Sequence, residues 1–198
     1  MISICIPYHD MENGAFFLKR CIDSIMSQTY TDYEIVLTKV GKMAENTNAA
    51  IKKAKGDIIK ILFMDDYFAH PNALQKIGDY SNYLINHNGW LITACEHDDG
   101  VNRGSSHYPE WNDNIQTVNT IGSPSVLAFR NENPLLFDEK LSWMLDADLY
   151  KRLYKRYGIP VILNDINVVI GIHGGQTTYA LSDEQKKSEV DYVINKHK

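Results

Sequence analysis

Two hydrophobic periods alternate through the first half of this chain, and that alternation constrains its fold more than any other feature. "ISICI", "DYEIVLT", "DIIKILFM" and "WLITACEH" are short runs rich in β-branched residues, as strands buried on both faces require. Between them lie helical segments. The first places Leu18, Cys21, Ile22, Ile25 and Met26 at helical spacing; "AENTNAAIKKAKG" and "PNALQKIGDYSNYLINHNG" supply the next two. Gly56 suits the C-terminal end of the second helix, Pro71 the start of the third and Gly89 its exit. Strands joined through helices run parallel with right-handed crossovers. The sequence therefore predicts an α/β fold, one mostly parallel sheet with helices on both faces.

From Asp98 to Thr120 the pattern dissolves into a polar stretch, a length that marks a functional or disordered loop. "IGSPSVLAFR" then reads as a strand, "WMLDADLYKRLYKRYG" as a helix and "PVILNDINVVIGIH" as one or two closing strands. "SDEQKKSEVDYVINKHK" reads as a solvated terminal helix touching the body through Tyr192, Val193 and Ile194. With neither repeat nor linker, residues 1–198 are expected to form a single domain.

The net charge of -5 and thinly spread basic residues exclude a nucleic-acid binder that works by neutralising phosphates. Cys5, Cys21 and Cys95 cannot pair completely and sit in apolar segments, so reduced thiols and a cytoplasmic location are expected. No apolar run approaches the roughly 20 residues of a membrane span, and "MISICIPYHD" is too short in its apolar part for a signal peptide.

Ligands bind beyond the carboxyl ends of parallel strands, which puts His9-Asp10, Thr38-Lys39 and Asp65-Asp66 on one rim. In "KILFMDDYFAHPN" a buried strand ends on two adjacent carboxylates, which repel each other and resist desolvation. The following helix begins around Pro71, too far away for either to cap it. They are either a solvated turn or ligands to Mn²⁺ or Mg²⁺, whose shell the phosphates of a nucleotide would complete. Asp146 and Asp148 point about 200° apart on their helix. Asp148 has the spacing of a surface ion pair with Lys151 and Arg152, whereas Asp146 shares a face with Trp143, Leu149 and Tyr150. Desolvation there raises a carboxylate's pKa and suits it to act as a base; the alternative is a carboxylate that only bonds a nearby loop.

The order and spacing of "ICIPYHD", "NTNAAIKKAKGDIIKILFMDDYF", "IGSPSVLAFR", "WMLDADLYKRLYKRYGIPVI" and "IGIHGGQTT" resemble the family 2 glycosyltransferases. The resemblance covers most of the chain. It implies the GT-A fold, a single Rossmann-like sheet, and an inverting enzyme that moves a sugar from a nucleotide-diphospho-sugar donor to a glycan or other hydroxyl acceptor. On the same basis Pro7, Tyr8, Asp10 and Asn48 become donor contacts. One of Asp65 and Asp66 becomes the metal ligand and its neighbour a donor contact, with Asp66 taken as the ligand and Asp65 as the contact. Asp146 becomes the catalytic base and His173 a second metal ligand, its alternative being a structural histidine after a strand. Gly122 and Ser123 become acceptor-side residues, or simply a tight turn. In the polar loop, His107, Tyr108 and Trp111 are placed to stack on an acceptor sugar or to anchor the loop. Three departures stand out: Thr38-Lys39 replace an acidic base-reading residue, Thr47 an arginine, and Phe63 a further aspartate of the acidic motif. They leave room for a non-catalytic GT-A-like module that binds nucleotide-sugar or glycan. A nucleotidyltransferase is disfavoured, because "PYHDMENG" is no glycine-rich, basic phosphate loop. The acceptor is expected against the long loop, a partner subunit or a second copy in a homo-oligomer.

Overall fold

A computed structural model describes residues 1–198. β1 (Ile2–Pro7) pairs in parallel with β2 (Tyr33–Thr38) on one side and β3 (Ile58–Ile61) on the other. The crossovers are α1 (Gly14–Met26) and α2 (Met43–Lys53). After β3 come β4 (Tyr67–Phe68), α3 (Ala73–Asp79), α4 (Ser81–Asn86) and β5 (Trp90–Asp98). β6 (Arg103–His107), β7 (Leu127–Arg130), α5 (Leu145–Tyr157), β8 (Val161–Gly171), α6 (Thr177–Ala180) and α7 (Asp183–His197) complete the chain. The sheet order is β2-β1-β3-β7-β5-β8-β4, with β6 paired to β5. β7 runs antiparallel to both β3 and β5, so β5 and its parallel neighbour β8 point the same way as β1, β2 and β3. The result is the expected α/β sheet, mostly parallel.

Every residue of β1 is buried, which is why its run carries no polar alternation. Forty-two buried residues form one contiguous hydrophobic cluster, so all the long strands share a core. Trp90 anchors its far end: Nε1 donates to the Gly158 carbonyl at 2.9 Å, and the ring stacks near the buried Tyr150. Cys5, Cys21 and Cys95 are free and buried. No helix is long and apolar enough to cross a membrane.

The structure departs from the sequence expectations at particular points. The third helix is two, because the chain tightens where the Tyr80 amide bonds the Ile77 carbonyl three residues back. Gly56 is no helix cap; the extended Ala54 ends α2. A side chain at Gly56 would meet the Met1 carbonyl at 2.7 Å and the Ser3 amide at 2.8 Å, so close passage of β1 explains the glycine. The polar stretch contains β6, whose "RGSSH" has no apolar residue to announce a strand yet pairs with β5 at the sheet edge. The closing segment is one strand, β8, with a register shift against β5 between Leu163 and Ile166.

Candidate active site

The carboxyl ends of β1, β3 and β8 open into a cavity of about 360 Å³. Its lining includes Asp65, Asp66 and His173, together with Asn119, Gly122, Ser123, Trp143 and Asp146. The predicted acidic pair, base and terminal histidine, far apart in sequence, therefore face a common space.

β3 ends at Ile61, and the chain turns where the Asp66 amide bonds the Phe63 carbonyl. That turn sends the two aspartates to different environments. Asp66 is 2% exposed; its Oδ1 accepts from the Gly171 amide at 2.9 Å, and the Ser125 hydroxyl also bonds it. Burial raises its carboxyl well above the ordinary range, and the charge of Asp65 adds to the effect. Lys60, fully buried on β3, is the nearby positive group, its Nζ donating to the Ser125 carbonyl. Burial pushes the Lys60 ammonium down to about 7, partly offset by Asp66.

Asp65 reaches outward, its Oδ2 lying 2.9 Å from Nε2 of His173. Two residues of α1 brace this pair. Phe17 stacks on the His173 ring at 5.0 Å, and Arg20 Nη2 donates to the Asp65 carbonyl at 2.7 Å while Nη1 bonds Asp98 at 2.9 Å. Gly171 completes the arrangement, since a side chain there would lie 2.5 Å from the Asp65 carbonyl. The sequence expectation is thus corrected in one respect: Asp65, not Asp66, meets His173, because Asp66 is turned into the core to satisfy Gly171.

Asp146 sits in the first turn of α5. Its Oδ2 accepts from Asn119 Nδ2 and its Oδ1 from the Ala147 amide, both at 2.7 Å. Desolvation pushes its carboxyl up to about 7, opposed by those bonds and reinforced by the charge of Glu189. Asp148 points away as expected, but it makes no surface ion pair with Lys151. It is fully buried and meets Arg152 at 2.7 Å, Lys196 at 2.8 Å and His197 at 2.9 Å. Lys196 and His197 belong to α7, so the terminal helix is pinned to the body rather than merely solvated. Gly122 adopts φ +99°, and Tyr150 donates to its carbonyl at 3.1 Å. Ser123 caps the short 3-10 turn Pro124–Val126, so this segment is both a tight turn and a cavity wall.

Other candidates stand outside the cavity. Trp111 stacks on Tyr154 at 4.3 Å and meets Trp90 edge-on, as a loop anchor does. Asn48 is buried and clasps the Phe137 backbone through both its amide and its carbonyl, holding a loop instead of facing the rim. Pro7 ends β1. Asp10 is exposed and paired with Lys39 at 2.7 Å, and Lys39 lies 5.0 Å over the Tyr8 ring. His9 and Met11 line the cavity beside them. Asn119, the partner of Asp146, was not expected: it lies in the polar stretch, where nothing distinguishes it from its neighbours.

No protein-family model matches the chain. A Rickettsia prowazekii protein named an uncharacterized glycosyltransferase is 25% identical over 232 aligned positions, covering 96% of this chain and 69% of that protein. The glycosyltransferase GlyA of Streptococcus pneumoniae is 28% identical over 100 positions, covering 50% of this chain and 13% of GlyA. Among solved structures, Staphylococcus aureus TarS in complex with UDP-GlcNAc superposes with TM-score 0.76 at 16% identity, over 99% of this chain and 66% of that one. A Pyrobaculum calidifontis mannosyltransferase in complex with GDP-Man and Mn²⁺ superposes with TM-score 0.64 at 14% identity, over 98% of this chain and 63% of that one. The chain thus has a GT-A-like fold, and the sequence relatives it matches are named glycosyltransferases.

Proposed function

We propose that the protein is a family 2 glycosyltransferase, transferring a sugar with inversion from a nucleoside-diphospho-sugar to an acceptor hydroxyl, with Asp146 as the base. One observation carries this reading: a single cavity is lined by both the Asp65–His173 pair and a desolvated Asp146. An inverting displacement needs a base and a leaving-group stabiliser that share one space. Asp146 takes the proton from the acceptor hydroxyl, and the oxygen forms its bond to the anomeric carbon. The bond from that carbon to the diphosphate breaks on the opposite side, and its electron pair leaves with the diphosphate. Asn119 orients the Asp146 carboxylate, while Gly122 and Ser123 shape the acceptor side.

The Asp65 carboxylate and the His173 imidazole, 2.9 Å apart, suit a borderline divalent ion such as Mn²⁺ better than Mg²⁺. Two protein ligands leave most of a coordination shell for phosphate oxygens and water, as a nucleotide-bridged ion requires. Such an ion, when bound, stabilises the charge developing on the leaving diphosphate. The Mn²⁺ in the complexed mannosyltransferase supports this assignment, and the UDP-GlcNAc and GDP-Man held by the two structural neighbours support a nucleotide-sugar donor.

Asp146→Asn should lower transfer by roughly 10² to 10⁴-fold while leaving donor affinity nearly unchanged. With the base titrating near 7, the wild-type rate should rise with pH through neutrality, because only the deprotonated carboxylate accepts a proton. The check is sugar transfer from a panel of UDP- and GDP-sugars, read alongside donor binding by calorimetry. Wild-type rates from Asp146→Asn would remove it as the base.

A further inference from the structure

The terminal helix α7 reaches the cavity without lining it. Glu189 half-buries its carboxylate against the start of α5, where Oε1 accepts from the Ser142 amide at 2.9 Å. Its Oε2 accepts from the Trp143 and Met144 amides at 2.8 and 2.9 Å. Asp146 is two residues further on. The far end of α7 grips the same helix: Lys196 and His197 hold the buried Asp148. Lys196 and Tyr192 also bond Asp138 at 2.6 and 2.9 Å. α7 is thus fastened to α5 on either side of the base.

We infer that Glu189 is a positioning residue for Asp146, fixing the chain's entry into α5 and offsetting the positive end of that helix with its own charge. This rests on the reading of Asp146 as the base. The backbone N–H groups at a helix start carry partial positive charge, which stabilises a nearby carboxylate in its charged, weakly basic form. Glu189 bonds the Met144 amide at the head of α5 and the two amides just before it, so its carboxylate offsets that positive end and adds like-charge repulsion. Both effects make Asp146 a stronger base. The other ionisable groups around Asp146 are accounted for. Lys186 of α7 lies 5.8 Å over the Trp143 ring, Tyr150 on α5 is buried and neutral, and His9, Asp65, Asp66 and His173 line the cavity with it.

The test uses the full chain labelled with ¹³C at aspartate carboxyls, with the Asp146 signal identified by its loss in Asp146→Asn. Glu189→Gln keeps the shape and removes the charge. The Asp146 titration midpoint should fall by roughly half a pH unit or more, the size of one charge interaction at this range. An unchanged midpoint overturns the proposal. If Glu189→Gln does not fold, Glu189→Asp keeps the charge but shortens the reach. Its Asp146 midpoint should then stay near wild type while kcat falls with little change in KM, and an unaltered kcat overturns the proposal. The NMR readout needs no substrate. Failure of Asp146 as the base would appear instead as wild-type transfer by Asp146→Asn, with the midpoint shift intact.

Discussion

Adjacent residues in sequence are given opposite tasks here. Asp65 faces the cavity and His173, whereas Asp66 is held inward by Gly171 and Ser125 above the buried Lys60. Their alanine variants should therefore separate. Asp66→Ala leaves the Gly171 amide without its acceptor and Lys60 without its nearby carboxyl, and should cost about 1–3 kcal/mol of stability. Asp65→Ala removes an outward carboxylate and should stay within about 1 kcal/mol of wild type, while abolishing any gain in nucleotide affinity on adding Mn²⁺. Urea unfolding and nucleotide titrations with and without Mn²⁺ measure the two effects. Metal-enhanced binding that survives Asp65→Ala but not Asp66→Ala would return the ligand role to Asp66. That two charges end a buried strand is readable from "ILFMDD"; which one turns outward depends on the Gly171 amide, more than 100 positions away, and no local pattern encodes it.

At the scale of elements, α5 is the part that the rest of the molecule is built to hold. Its inward side buries Asp148 among Arg152, Lys196 and His197, and its start is held by Glu189. Asp148→Asn leaves Arg152 without its buried counter-charge and weakens the hold on Lys196 and His197, and should cost about 3–5 kcal/mol. His197 adds a pH dependence. Burial lowers its pKa below the ordinary imidazole value, against the pull of Asp148, so the unfolded chain protonates first on acidification. Stability should fall as pH drops through about 6.5. His197→Gln, which loses a bond worth about 1 kcal/mol at pH 8, should close that gap by pH 5. Thermal melts of both proteins across that range provide the check, and a gap that widens on acidification would contradict it. The sequence showed α5 clearly through its period, but not that α7 closes on it. α7 has only Val193 fully buried, and a helix held by ion pairs presents no broad apolar stripe.

For the molecule as a whole, the cavity exists only because strands from both halves of the chain end at one rim, so a nucleotide bound there should stabilise the entire fold. At a hundred-fold excess over Kd the gain is about 2.7 kcal/mol, or roughly 5–10 °C in Tm for a chain of this length. UDP and GDP, each with Mn²⁺, with Mg²⁺ and with chelator, should give a base-selective shift that needs the metal. A flat response to all of them would favour a glycan-binding module. The sequence by itself determined the sheet, the crossover helices, the acidic strand end and that Asp146 and Asp148 face different ways, because each is written in local period or in adjacent residues. Only the tertiary structure decided that Asp65 meets His173, that Asn119 bonds Asp146, that Trp111 anchors a loop, and that α7 is fastened to the start of α5. Those are contacts between distant segments, and they are selected by which buried polar groups need partners once the sheet has closed.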